Sequence, residues 1–347
     1  MRGEVSEVAF GEHPTAFGTG PFQAGSSERK QTMRNKLLTI ALLLLFPGGA
    51  TAQGWRPPAE SQRCPSKWGP GDERGSMNHQ KPEAVLKAAR LIRTGEVVEL
   101  GRVLSPTMPV FGTRRFDLYT KRTFMNPGVN RRGSNEELVI TELGQVGTQF
   151  DAFPHQTIGD ALYNCFKMDE TASRTGFSRL GVEKVGTIFT RGVLIDVAGL
   201  KGVEMLGDSY EITVQDLEQA LARQQLSLQP GDAILIHTGW GRLWGKDNGR
   251  FGRSAPGIGA AAATWLAKQD PLLVGSDNSG VEVSPNPDPE LSLPVHQILL
   301  AVNGIHLLEN LKLDDLAAKR AYEFALVMQP LKIQGGTGST VAPVAIR

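Results

Sequence analysis

The sequence predicts a mixed α/β fold. Short apolar runs of strand length alternate with amphipathic helical segments between Lys81 and Met328. Acidic and histidine residues stand at the ends of those runs, where sites in α/β folds collect. The third observation is punctuation: 40 Gly and 21 Pro in 347 residues demand many tight turns. A chain that is 40% hydrophobic and 21% charged is an ordinary globular composition, which excludes disorder and collagen-like repeats. A net charge of +1 offers no footprint for nucleic acid or an anionic membrane. Two cysteines exclude a multi-cysteine zinc site. They leave open one disulfide, Cys64 with Cys165, or two separate buried thiols.

The elements follow in order. Arg34 and Lys36 precede the apolar run Leu37 to Phe46, and Pro47, Gly48 and Ala50-Thr51-Ala52 follow it. That is the layout of a secretory signal peptide, and the run is far short of the ~20 residues that span a bilayer. Met33 stands where such a peptide would start. The expected organisation is an upstream segment and signal peptide over 1–52, an extended lead-in over 53–67 and one domain over 68–347. The product would be periplasmic or secreted, with no membrane attachment after cleavage. Within the domain, Lys81 to Thr94 reads as a helix with Pro82 in its first turn, and Val97 to Leu100 as a strand. Thr107 to Gly133 is Arg-rich and aperiodic, a long loop of the kind that is often functional. Glu137 to Phe150 reads as extended and Thr187 to Val197 as a strand. Thr213 to Gln224 is an amphipathic helix with a capping box at Thr213 and Asp216. Asp232 to Thr238 is a buried strand, Ile258 to Lys268 an Ala-rich helix and Leu272 to Gly275 a short strand. Pro294 to Val302 is helical, His306 to Leu308 extended, Leu313 to Lys319 helical and Tyr322 to Met328 a last strand.

The densest polar cluster in an apolar setting is Gln145-Val-Gly-Thr-Gln149-Phe-Asp151-Ala-Phe-Pro-His155. Spacing alone reads first as a strand end with an Asp turn; a bend at Gly147 would also bring Gln145, Gln149 and Asp151 together.

This segment resembles the signature of the cyclase family of metal-dependent hydrolases, which includes kynurenine formamidase and isatin hydrolase. The family motif is His-x-Gly-Thr-His-x-Asp-x-Pro-x-His. Gly147, Thr148, Asp151 and His155 match it; Gln145 and Gln149 stand in place of the first two histidines, and Phe153 in place of the proline. The resemblance extends to Trp68 through Asn78, Gly231 through Trp240, Gly275 through Glu282, Pro294 through Leu311 and Pro330 through Ser339. It implies a swivelling β/β/α architecture, a single domain around a central mixed sheet, and a homodimer or homotetramer.

The resemblance also implies a site. Asp151, His296 and Glu309 would hold a divalent metal, manganese or zinc, with Gln145 and Gln149 completing or orienting the shell. His155 would be the general base and acid. An amide oxygen is a weaker zinc ligand than imidazole, so the glutamines shift the expectation toward harder ions. The activity implied is hydrolysis of an amide C–N bond in a small-molecule substrate, an aromatic one among the candidates, arylformamidase-like; the alternatives are a metal-free periplasmic small-molecule binding homologue and another C–N or C–O bond reaction on the same scaffold. Phe150, Phe153 and Trp240 are the expected substrate-binding residues. His237 and His306 read as structural, and Gly335 to Ser339 as a turn rather than a phosphate cradle, because it lacks the P-loop lysine.

Overall fold

The computed structural model describes residues 54–125 and 128–347. The expected signal peptide lies outside the described residues. In chain order the strands are β1 (Val97–Glu99), β2 (Phe116–Met125), β3 (Gly133–Thr141), β4 (Gln149–Asp151), β5 (Ala172–Ser173), β6 (Gly176–Phe177), β7 (Ile188–Asp196) and β8 (Glu211–Ile212). They continue with β9 (Ala233–His237), β10 (Gly257–Ile258), β11 (Leu273–Ser276), β12 (His306–Glu309), β13 (Glu323–Met328), β14 (Gly338–Thr340) and β15 (Val344–Ile346).

Nine of these form one mixed sheet in the order β1-β15-β13-β7-β9-β11-β12-β4-β14. Its centre, β7-β9-β11-β12, is parallel, and antiparallel pairs flank it on both sides. Central parallel strands are buried on both faces, which is why Ala233–His237 reads as an unbroken apolar run. On one face Val193, Ile195, Ile234, Ile236, Val274 and Leu307 pack with residues of the helices Val214–Gln224 and Ala260–Lys268. On the other, Leu194, Leu235, Leu273 and Leu308 pack with Met77, Leu313, Leu316 and Phe324. Each fully buried Leu or Ile contributes about 1.5–3 kcal/mol, so the alternation along the strands pins their register. The expected capping box is present: Thr213 Oγ1 accepts from Asp216 N at 3.2 Å, and Asp216 Oδ2 accepts from Thr213 N at 2.9 Å.

The structure resolves the cysteine alternatives. Cys64 and Cys165 form a disulfide with Cα atoms 6.0 Å apart, tying the lead-in to the segment that follows β4. It also corrects the long loop expected over 107–133. Within that stretch, β2 pairs with β3 as an antiparallel hairpin, Leu118 opposite Val139, Tyr119 opposite Leu138 and Lys121 opposite Glu136. Those apolar residues are exposed, so no inside–outside alternation marked the strands. The stretch 137–150 is not one strand, because Gly147 at φ +66° turns the chain between β3 and β4. The helix after Pro82 closes at Ala89, and Pro294–His296 continues as a π-helix, Gln297–Val302.

Candidate metal centre

The carboxyl ends of the parallel strands carry Asp196, His237, Ser276 and Glu309, one per strand. The site forms around the last of these, because β4 runs antiparallel to β12. Its register sets Gln149 opposite Glu309 and Asp151 opposite Leu307. Side chains alternate along a strand, so Gln149, Asp151 and Glu309 share one face, and Phe150 and Leu308 the other. Gly147 permits the turn that delivers β4: a Cβ there would lie 2.1 Å from Leu104 Cδ2. His155 ends a short 3-10 turn four residues beyond Asp151, and His296 enters from the helix begun by Pro294.

These side chains converge. Asp151 Oδ2 lies 3.8 Å from both His155 Nε2 and His296 Nε2. Glu309 Oε1 lies 3.2 Å from His296 Nε2. Asp151 is 0% exposed, His296 4% and Glu309 5%. Asp151, His155 and His296 each offer a ligand atom, all within 4.8 Å of one another. Asp151 Oδ2 and Glu309 Oε1 are buried without a hydrogen-bond partner among the described residues. Two buried carboxylate oxygens left bare beside an imidazole nitrogen are a costly arrangement unless a cation satisfies them. The donor set, two carboxylate oxygens with one or two imidazoles, fits a divalent ion of hard or borderline character.

The glutamines meet the carboxylates through their amide nitrogens. Gln145 Nε2 donates to Asp151 Oδ1 at 3.1 Å, and Gln149 Nε2 donates to Glu309 Oε2 at 2.9 Å and Gln145 Oε1 at 3.3 Å. A carboxylate only accepts, so it is the amide NH2 groups that must face it. Each glutamine therefore holds the back of a carboxylate whose front oxygen points into the centre. Of the two roles expected of Gln145 and Gln149, completing the shell or orienting it, this is the orienting one.

Glu282 positions His296. Its Oε1 accepts from His296 Nδ1 at 2.5 Å, and its two oxygens also accept the backbone N–H groups of His296 and Val295. A carboxylate on Nδ1 fixes the ring and leaves Nε2 facing the centre, the arrangement that orients metal-bound histidines elsewhere. The signal that would have found it is a buried glutamate close ahead of a candidate ligand helix.

Electrostatics separates the groups. Burial and the Glu309 carboxylate raise Asp151 well above the ordinary carboxylate range. Against burial, which favours a neutral ring, Glu282 and Glu309 raise His296 well above the usual histidine value. His155 is pushed down to about 3 by burial and by the positive charges of His296 and Arg114. It is a neutral imidazole at physiological pH, with the lone pair a base requires.

Phe150, Phe153 and Trp240, expected at the substrate, are all 0% exposed. Phe150 points to the opposite face of the sheet with Leu308. Phe153 stacks on His306 at 4.1 Å, and Trp240 donates Nε1 to Phe251 O at 3.3 Å. They are core residues, which corrects that expectation. His306 is buried, with Nδ1 at 3.0 Å from Asp151 O, and His237 Nδ1 lies 2.7 Å from Asp196 Oδ1. Both are structural partners, as the sequence reading had them.

Comparison with known proteins adds the family. The cyclase family model, described as "Putative cyclase", matches residues 98–283. A crystal structure of a novel cyclase is 33% identical, covers 84% of this chain and 99% of its own, and superposes with a TM-score of 0.76. Isatin hydrolase A from Ralstonia solanacearum is 22% identical over 76% of this chain and 94% of its own, with a TM-score of 0.52. Isatin hydrolase A from Labrenzia aggregata, bound to benzyl benzoate, is 20% identical over 74% and 94%, with a TM-score of 0.55. No curated protein matches the chain. The 33% identity across nearly the whole of the novel cyclase, together with the family match, settles the assignment: the chain belongs to the cyclase family.

Proposed function

We propose that the protein is a metal-dependent hydrolase that cleaves an amide C–N bond in a small substrate, arylformamidase-like or acting on a cyclic amide. One observation carries the reading: the bare, buried oxygens Asp151 Oδ2 and Glu309 Oε1 meet at His296 Nε2, with His155 beside them. Asp151, Glu309 and His296 would hold the cation, with Glu282 orienting the imidazole and the glutamines fixing the carboxylates. A divalent ion held there would supply Lewis-acid polarisation of an amide carbonyl and would acidify a nearby water. His155, neutral and 3.8 Å from Asp151 Oδ2, takes the proton of the attacking water at Nε2 and passes it to the departing amine nitrogen. Asp151 and Glu309 stay fixed during this transfer, because Gln145 and Gln149 restrain their outer oxygens.

An oxygen-rich set favours manganese over zinc as the resident ion. The isatin hydrolases share the fold, and their names make isatin, a cyclic amide, the first substrate to try; N-formylkynurenine is the second. The test is hydrolysis of both by metal-stripped protein reconstituted with manganese or zinc. Turnover that follows added metal supports the reading. Metal binding without turnover of any amide would favour a binding protein, and neither would end the proposal.

A further inference from the structure

The hairpin β2–β3 serves neither the central sheet nor the metal centre. Phe116, at its root, is buried with Met108 and Val146. Beyond that residue the arm leaves its apolar side chains in solvent. Leu118 and Val139 pair on one face, and Tyr119 and Leu138 pair on the other beside Ile140. All five are exposed, Tyr119 by 57% and Leu138 by 51%. Together they present about 500 Å² of apolar surface, within the range at which an exposed patch marks an interaction site. No third strand pairs with the arm among the described residues, so both of its outer edges offer open N–H and C=O groups. A lone two-stranded hairpin is at best marginally stable in water, so such an arm requires a cover.

Its charges select that cover. On the face that carries Tyr119, β2 runs from Asp117 on the root side to Lys121 on the tip side, each two residues from the tyrosine. A second β2 laid antiparallel and centred on Tyr119 sets Asp117 of each copy opposite Lys121 of the other, with the two tyrosines meeting on the two-fold axis. Lys121 keeps its neighbour Glu136, 3.8 Å away on β3, and gains a carboxylate on its other side. Asp117 has Ile140 opposite it on β3, and its ion pair is to Arg115 at 3.4 Å along the same strand end. These four charged side chains are each at least 38% exposed, so an approaching strand reaches them. The other edge gives the opposite result. A β3 pair centred on Val139 would set Glu136 of one copy against Glu142 of the other, like charge against like. Two arms carry about 1,000 Å² of exposed apolar surface between them, the area at which a specific interface begins. We propose that this arm is the interface between two copies of this chain, with β2 against β2, antiparallel about Tyr119. Each tip then lies along the root of the other arm, and the apolar faces of both come together across the join.

Sedimentation equilibrium of the protein from about 1 to 100 μM measures the assembly, and the expected result is a dimer with a dissociation constant below about 10 μM. Both native cysteines are in the disulfide, so a single added thiol reports position. Tyr119→Cys places that thiol on the two-fold axis, where paired strands hold opposite Cα atoms about 4.5–5.5 Å apart, a disulfide distance. It is expected to cross-link into a dimer under mild oxidation. Leu138→Cys is expected not to, because β3 of one copy would lie three strand spacings, about 14 Å, from β3 of the other. Asp117→Lys sets like charges against Lys121 twice in one interface and is expected to weaken association about 10-fold or more. All three side chains are more than a third exposed, so the variants keep the fold of the parent. A protein that stays monomeric at about 100 μM would overturn the inference, and a monomer that sediments with vesicles containing anionic lipid would assign the arm to a membrane instead. A dimer that cross-links through Leu138→Cys in preference to Tyr119→Cys, or that is unaffected by Asp117→Lys, would overturn it as well.

Discussion

Asp151→Asn is expected to stabilise the metal-free protein while abolishing its response to metal. Asp151 is 0% exposed, and its Oδ2 has no hydrogen-bond partner among the described residues. An unsatisfied buried polar atom costs about 1–3 kcal/mol, and more when charged. Burial and the neighbouring Glu309 raise its pKa, so the unfolded chain gives up this proton from its ordinary value of 3.8 while the folded chain retains it. The folded state then binds more protons, and stability falls as pH rises above about 4 until the raised pKa is passed. Asparagine removes that fall and keeps an oxygen for Gln145 Nε2. The gain near neutral pH is about 2 kcal/mol, or roughly 3 °C in Tm for a domain of this size. Wild-type protein, in contrast, gains about 2.7 kcal/mol when the metal stands at 100 times its dissociation constant. Urea unfolding of chelator-stripped protein, with and without manganese, measures both quantities. An asparagine variant less stable than stripped wild type would refute the reasoning, as would one that manganese stabilises equally well.

Three other outcomes follow from the same structure. His155→Ala is expected to lower kcat by about 10²–10⁴-fold while metal content stays unchanged, measured by single-substrate kinetics and elemental analysis. His155 is neutral until the pH falls through about 3, so protonation of this residue should not depress the wild-type rate between pH 5 and 8. His237 is raised to about 10, because Asp196, Asp314 and Asp277 outweigh the burial that favours its neutral form. The stability it contributes is fully present below about pH 6.5 and lost as pH rises through 10, a decline of about 3–5 kcal/mol in denaturation curves that His237→Gln should flatten. Reducing the disulfide frees a loop of 101 residues and should cost about 4 kcal/mol, read as a lower urea midpoint in dithiothreitol that Cys64→Ser reproduces without it.

Much of the centre was legible because its motif is local. Gly147, Asp151 and His155 fall within nine residues, and the bend that joins them is a glycine turn. His296 and Glu309 followed from the resemblance rather than from spacing, since β-sheet register is what sets Glu309 against Gln149. Glu282 escaped because its role depends on which imidazole nitrogen it meets, a property of three-dimensional geometry. The glutamines were expected either to complete the shell or to orient it, and which end of the amide faces the carboxylates is set by geometry that the sequence does not carry. Phe150 flanks Asp151 in sequence and for that very reason faces away from it in a strand. The helices were legible through the period of their apolar residues, and the parallel strands as short unbroken apolar runs. The hairpin β2–β3 was not, because Leu118 and Tyr119 on one strand and Leu138 and Val139 on the other are exposed, so no buried–exposed period marks it.

The central claim is that Asp151, Glu309 and His296 form a metal centre that hydrolyses an amide. Manganese titrated into chelator-stripped protein, with bound metal and isatin turnover recorded on the same samples, tests it most directly. The account predicts that about one ion binds per chain, that turnover rises in proportion to bound metal, and that Asp151→Asn loses both. Turnover that is unchanged by stripping, or stoichiometric binding that survives Asp151→Asn, would contradict it.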